Sequence, residues 1–319
     1  MPVDETVLGS LRSYVDTRSG IGERFLTPEI GGKRTVGVLT TPTGDRREAG
    51  WVICHSFGME QVWLQPVEVA AARQLGASGF PTLRFHAQGY GDSEGSTADV
   101  SLESHVRDAL DAIRVLVAET GVPRVGLIGA RFGGAVATLA ADRSDARALI
   151  LWEPMIDGRR YMRELLRTAA LTEVATAARL KLGMRDAGEM FAEAGVIDVQ
   201  GYALGRSVFE EVSAFDLLSE VVAFGGDTVV IQISQSPKPK PDLERLVARL
   251  EHIGGRSTLE VLMDGEARRF GLQRYYATPD GQRKDDKQEA LSEKLVSMTV
   301  SWCVAWDARA TRSSEEDLR

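Results

Sequence analysis

The sequence predicts an α/β fold, a mostly parallel sheet flanked by helices, with one helical insertion. Three observations carry this. Apolar runs of strand length alternate with segments of helical periodicity along most of the 319 residues. The alternation breaks between about 157 and 222, where helical segments follow one another without a strong strand. It resumes afterwards with the run at 228–233, so one domain with an insertion fits better than two domains.

Each element has its own signal. Residues 23–30 and 34–41 predict two opening strands around a Gly31-Gly32 turn. Trp51–His55 is a buried strand, followed by a helix over 62–77 with Val67, Ala70, Ala71 and Leu75 at helical spacing. Phe80–Phe85 is the next strand. A helix over 101–119 follows, N-capped by Ser101, with Val106, Leu110, Ile113 and Val117 on one face. Strand Val125–Gly129 leads into a helix opening near Arg131, and Ala148–Trp152 is another strand. Past the insertion come strand 228–233, a Pro-Lys loop at 237–241, helix 243–252, strand 258–263 and helix 291–306. The tail from Asp307 is expected to fray.

Composition narrows the chemistry. Lys plus Arg is 38 against 46 Asp plus Glu, a net charge of −8, which disfavours nucleic-acid and anionic-membrane binding. Two Cys exclude a multi-Cys zinc site and a disulfide framework. The start, MPVDETVLGS, lacks the basic and apolar regions of a signal peptide, and no apolar run is long enough to span a membrane. A cytoplasmic protein is expected, with Cys54 and Cys303 as buried thiols. Any histidine chemistry must use His55, His86, His105 or His252.

Three motifs carry a resemblance. Val125–Gly134, reading VGLIGARFGG, has the strand–turn–helix frame of a nucleophile elbow, G-x-S-x-G. His55-Ser56-Phe57-Gly58 resembles an oxyanion-hole turn, and Leu83–Gly95 resembles the turn after a later strand. In this order and spacing the chain resembles the α/β-hydrolase superfamily over about residues 20–306. That resemblance implies a mostly parallel eight-stranded sheet flanked by helices, with a helical cap over about 157–222. The segments His55–Glu60, Leu151–Leu166 and Val199–Leu204 also resemble a bacterial subgroup of hydrolase-like proteins, some of which accompany exosortase systems.

The same alignment removes the standard chemistry. Arg131 stands at the nucleophile position, and a guanidinium stays protonated and cannot attack a carbonyl. The acid position after strand 228–233 reads SQSPKPKP, with no carboxylate before Asp242. The loop Asp264–Phe270, where the base should sit, has no His. All three members of a Ser-His-Asp triad are therefore missing.

What remains can still form a site. Arg131 at a helix N-terminus suits an anion, as a clamp for a carboxylate or phosphate. Otherwise it pairs internally with Glu153 or Asp157. His55 holds the oxyanion turn by hydrogen bonds; alternatively His55 or Glu153 activates water. His86 anchors a loop or shares a two-His pocket with His55. Neither His has a partner at metal-ligand spacing, so no metal and no cofactor is expected. His105 and His252 read as surface or packing residues. Cys54 and His55 point to opposite faces of a strand, which opposes a Cys–His pair. Ser56 lacks a visible base, and Ser93 serves a turn. Phe57 and Phe132 would line the pocket. Tyr161, Met162, Leu165 and Leu166 form the apolar cap face, with Arg159, Arg160 and Arg163 in solvent.

Three functions stay open. The first is a hydrolase-fold protein without serine chemistry that binds an acyl or anionic small molecule. The second is an ester, thioester or peptide hydrolase using displaced residues. The third is a scaffolding partner in a biosynthetic or envelope assembly. A homodimer or a protein partner would use the cap.

Overall fold

The computed structural model describes residues 12–175, 191, 195–265, 270 and 286–317. Nine described strands form the main sheet. They are β1 (Ser13–Asp16), β2 (Ile21–Leu26), β5 (Gly37–Pro42), β6 (Ala49–Cys54), β7 (Thr82–Phe85), β8 (Arg124–Ala130), β9 (Ala148–Trp152), β12 (Asp227–Ser234) and β13 (Arg256–Met263). Their spatial order is β1-β2-β5-β7-β6-β8-β9-β12-β13. From β7 to β13 all neighbours are parallel. β1, β2 and β5 are antiparallel to their neighbours. The ninth strand, β1, is an addition to the expected eight. The Gly31-Gly32 turn belongs to a separate small hairpin of β3 (Glu29–Ile30) and β4 (Lys33–Arg34).

The helices are α1 (Met59–Ala77), α2 (Leu102–Thr120), α3 (Arg131–Asp142), α4 (Gly158–Ala175), α5 (Arg206–Ala214), α6 (Leu217–Glu220), α7 (Pro241–His252) and α8 (Asp286–Asp317). Ser101 caps α2 through a reciprocal pair, accepting from Ser104 N–H at 2.9 Å while its own N–H donates to Ser104 Oγ at 2.8 Å. The face of α2 that packs inward is Leu102, Val106, Ala109, Ala112 and Leu116, rotated from the expected one, and Val117 is exposed. The small Ala109 and Ala112 let the helix approach the sheet, which apolar bulk alone did not signal. Between β9 and β12 the chain is not purely helical: β10 (Val196–Val199) and β11 (Tyr202–Gly205) form a hairpin. β10 alternates exposed and buried residues over only four positions and β11 does not alternate, so neither stands out in sequence.

Alternation along the central strands builds two cores, one on each sheet face. Val52, Cys54, Leu127, Leu149, Leu151 and Val230 pack on α2, α3 and α7, and the segment after β9 adds Tyr161, Met162 and Leu204. Trp51, Ile53, Ile128, Ile150, Trp152 and Ile231 pack on α1 and α8. Trp152 Nε1–H donates to Thr299 Oγ1 at 3.1 Å, and Trp51 meets Trp302 and Trp306 edge-on. α8 continues to Asp317 instead of ending at 306. Asp307 is buried and receives Arg47 Nη1 and Arg124 Nη2, both at 2.8 Å, which ties this turn to β8 and the loop before β6.

One buried charge site should show in solution. Glu68 of α1 is buried, one carboxyl oxygen has no partner, and burial pushes its pKa up to about 8, with Arg84 opposing. The protonated form is thus favoured in the fold. Its contribution is complete below the unfolded value of 4.5 and is lost as pH rises through about 8. Glu68→Gln should remove this dependence and become more stable than the wild type above pH 8 by about 2–4 kcal/mol. Urea denaturation across pH checks it; parallel pH profiles for the two proteins would refute it.

Candidate functional site

The elbow is built around backbone contacts. β8 ends at Ala130, Arg131 turns at φ 52, and α3 starts at once. A left-handed residue other than glycine costs about 1–2 kcal/mol, so neighbours must hold it. Met155 N–H donates to Arg131 C=O at 2.8 Å. The two flanking glycines allow the close approach. A Cβ on Gly129 would lie 2.1 Å from Gly133 C=O, and one on Gly133 would lie 2.2 Å from Cys54 C=O. The segment read as G-x-R-x-G-G is thus a strand, a tight turn at positive φ and a helix.

The Arg131 side chain is paired, with partners other than those expected. Nε donates to Glu60 Oε1 at 3.3 Å and Nη2 to Glu164 Oε2 at 3.1 Å. The guanidinium also lies 5.7 Å from the Tyr161 ring. Glu60 is buried in the first turn of α1, where the helix dipole favours an anion. Its Oε2 accepts from Ser56 Oγ at 2.7 Å and from Tyr161 OH at 2.8 Å. Burial opposes the charge on Arg131, but the Glu60 and Glu164 carboxylates outweigh it and raise its pKa above the ordinary guanidinium value. Glu164 on α4 is half exposed; burial raises its pKa, yet Arg131 and Arg160 hold it below the usual carboxylate value. Burial and then the Glu60 carboxylate hold Tyr161 well above its usual value, so it stays a phenol.

The pairing continues outward. Arg160 Nε lies 3.2 Å from Glu164 Oε1, and Arg160 Nη1 lies 3.4 Å from Asp242 Oδ2 on α7. A ladder of alternating charge thus runs from the buried elbow through α4 to the surface. Arg159 and Arg163 are exposed, as expected.

Glu153 and Asp157 do not reach Arg131 as partners. Glu153, itself at φ 46, accepts Ile233 N–H at 2.7 Å and Lys240 Nζ at 2.5 Å. It straps β9 to β12 and to the Pro-Lys loop. Asp157 accepts Arg160 N–H at 2.9 Å in the first turn of α4 and bridges to Asp216.

The histidines are structural in their geometry. His55 Nε2 accepts from Ala87 N–H at 2.9 Å, which places the proton on Nδ1, and Nδ1–H donates to Ser56 C=O at 2.8 Å. Burial, aided by His105, lowers its pKa to about 3. With both ring nitrogens engaged, His55 has no lone pair to offer a water, which corrects the expectation that it could act as base. His86 lies 6.2 Å from His55 ring to ring, and its Nδ1 is buried against Gly91 with no hydrogen-bond partner. His105 is buried rather than at the surface. Its Nδ1–H donates to Ser101 C=O at 2.7 Å. These rings pack with Phe57, Tyr90 and Phe132 in one aromatic cluster beneath the elbow, and Phe57 and Phe132 are filled core, not open lining. Tyr90 OH accepts Gly58 N–H at 3.3 Å, tying the turn after β6 to the Leu83–Gly95 loop.

Glu60 and Glu164 escaped the sequence reading. Glu60 follows Ser56 by four residues at a helix start, where an acidic residue ordinarily reads as a dipole partner. Glu164 lay inside the expected cap helix between residues read as apolar lining. Part of the loop in which a base was sought, 266–269, lies outside the described residues.

Sheet order, crossover helices and elbow together define the α/β-hydrolase fold. A family model for serine aminopeptidase, S33, matches residues 46–197. Solved structures agree on the fold. The esterase Pf2001 of Pyrococcus furiosus superposes with a TM-score of 0.58 at 12% identity, covering 92% of this chain and 94% of that one. Alpha/beta hydrolase domain-containing protein 10 from mouse gives 0.51 at 14% identity, covering 89% and 98%. No curated protein matches the sequence. Among the described residues no helix is long and apolar enough to cross a membrane.

The ion pair carries a stability prediction. Arg131→Met should cost about 3–5 kcal/mol, because it leaves Glu60 buried without a cation. Adding Glu60→Gln should recover most of that loss. Equilibrium unfolding of the three proteins measures both effects, and simple additivity of the two losses would contradict the pairing.

Proposed function

We propose that this chain is an α/β-hydrolase-fold protein without serine-hydrolase chemistry, which binds an acyl compound carrying a carboxylate or similar anion under a cap formed by about 157–222. One observation carries the reading: the residue at the elbow is Arg131, held at φ 52 and already paired with carboxylates. Glu60 is the inner, permanent partner. Glu164 is the outer one, half exposed on α4, and its carboxylate occupies the place a ligand anion would take. Binding then exchanges one carboxylate for another at Arg131 Nη2, above the buried side chains of Tyr161, Met162 and Leu165.

The alternative of a hydrolase using His55 or Glu153 finds less support. His55 has both nitrogens in hydrogen bonds, and Glu153 is tied to Lys240. The reading also takes the chain as a member of the bacterial subgroup that includes exosortase-associated proteins. It places the chain in the cytoplasm, with which two buried unpaired thiols, Cys54 and Cys303, agree.

Two measurements test it. A fluorophosphonate probe should leave the wild type unlabelled, and Arg131→Ser should gain no esterase turnover, since no His stands in the loop after β13. Substantial turnover by that variant would place a base where none is assigned. In calorimetry against a series of medium- and long-chain fatty acids, Glu164→Gln should bind about two- to fivefold more tightly than the wild type, because an exposed competitor is gone. Arg131→Met should not bind. Equal affinity in all three proteins would remove Arg131 from the site.

A further inference from the structure

β1 is the outermost strand of the sheet, and no other described segment pairs with its outer edge. It carries neither Pro nor Lys; what guards it is its shortness, four residues, and the charge of Asp16. Seven large apolar side chains are exposed among the described residues, and three of them lie here: Tyr14 at 61%, Val15 at 58% and Phe25 at 44%. Tyr14 shares its face with Phe25 through the β1–β2 register.

The hydrogen-bond pattern says which groups are free. Phe25 N–H donates to Arg12 C=O at 2.8 Å, so Arg12, Tyr14 and Asp16 turn their backbone groups towards β2. Ser13 and Val15 therefore present theirs outward. An antiparallel pairing of two such edges can place its two-fold axis at Ser13, Tyr14 or Val15. Centred on Val15, it sets Arg12 against Arg18, two like charges. Centred on Ser13, it leaves Arg12 facing Tyr14 and Asp16 beyond the described strand. Centred on Tyr14, it bonds Ser13 to Val15 of the second copy twice over. It also sets Arg12 opposite Asp16 on both sides of the axis, with Tyr14 against Tyr14. Asp16 is oriented for this, since Arg18 N–H, Ser19 N–H and Ser19 Oγ donate to it and leave acceptor capacity on Oδ2.

We propose that β1 is a homodimer interface, pairing antiparallel with β1 of a second copy in the register centred on Tyr14 and extending the sheet across the two-fold axis. This does not rest on the reading of the elbow site.

Sedimentation equilibrium of the full chain should show a dimer whose fraction rises with concentration. Val15→Pro deletes an outward N–H while sparing the bonds of β1 to β2, and Arg12→Glu sets like charges across the axis. Each should weaken the dimer about tenfold or more. Single cysteines read the register without disturbing the fold, because Cys54 and Cys303 are buried. Under mild oxidation Tyr14→Cys should cross-link to itself, the facing Cα atoms lying within disulfide reach. Ser13→Cys should cross-link in a mixture with Val15→Cys but not alone. A chain that stays monomeric at every concentration, a dimer unaffected by Val15→Pro, or a Tyr14→Cys yield no higher than that of the exposed control Val117→Cys would overturn the proposal.

Discussion

The carboxylate of Glu60 sits where four parts of the molecule meet. It belongs to α1, it receives the hydroxyl of Ser56 from the turn after β6, the phenol of Tyr161 from α4 and the guanidinium of Arg131 from the elbow. A buried ion survives only when its partners are complete, because the interior cannot solvate what is left over. That requirement fixes the relative placement of the oxyanion-type turn, the elbow and the segment after β9. It also explains how an arginine can stand at a strained backbone position. The strain is held by close glycine contacts and the Met155 N–H, and the charge is neutralised from the side rather than by solvent.

The histidines illustrate how the same residue types serve structure when backbone groups claim them first. His55 is locked between Ser56 C=O and Ala87 N–H, and His105 donates to Ser101 C=O. Burial holds both in the neutral form. They act as polar ends within an aromatic cluster, joining the turn after β6 to the following loop and to α2. The turn between β8 and α3 is thus surrounded by imidazoles whose hydrogen bonds go to backbone groups.

The two sides of Arg131 differ in energetic weight. The Glu60 pair is buried and its loss exposes a stranded charge, whereas Glu164 is half exposed and its pair is screened by water. Losing the outer partner therefore costs less than losing the inner one. The outward ladder through Arg160 to Asp242 links α4 to α7 by contacts of this weaker kind.

Much of this was legible in the sequence. The parallel strands are continuous apolar runs because both their faces are buried, and the elbow shows as a strand followed by G-x-R-x-G-G. The arginine at the turn between β8 and α3 and the absence of histidine in the sequence after β13 are matters of residue identity. The partners of Arg131 were not legible. Glu60 is 71 residues away and Glu164 is 33 away, and only the packing of α1 and α4 onto the elbow brings them there. Glu153, nearer in sequence, is diverted because β12 offers it Ile233 N–H and Lys240. The four-residue strands β1, β10 and β11 carried too little signal in sequence, and it is pairing with a neighbouring strand that defines them. Sequence by itself determined the layered fold and the identity of the residue at the turn between β8 and α3. Tertiary structure decided which charges meet, because a buried ion takes the partner that geometry delivers and not the one that lies closest along the chain.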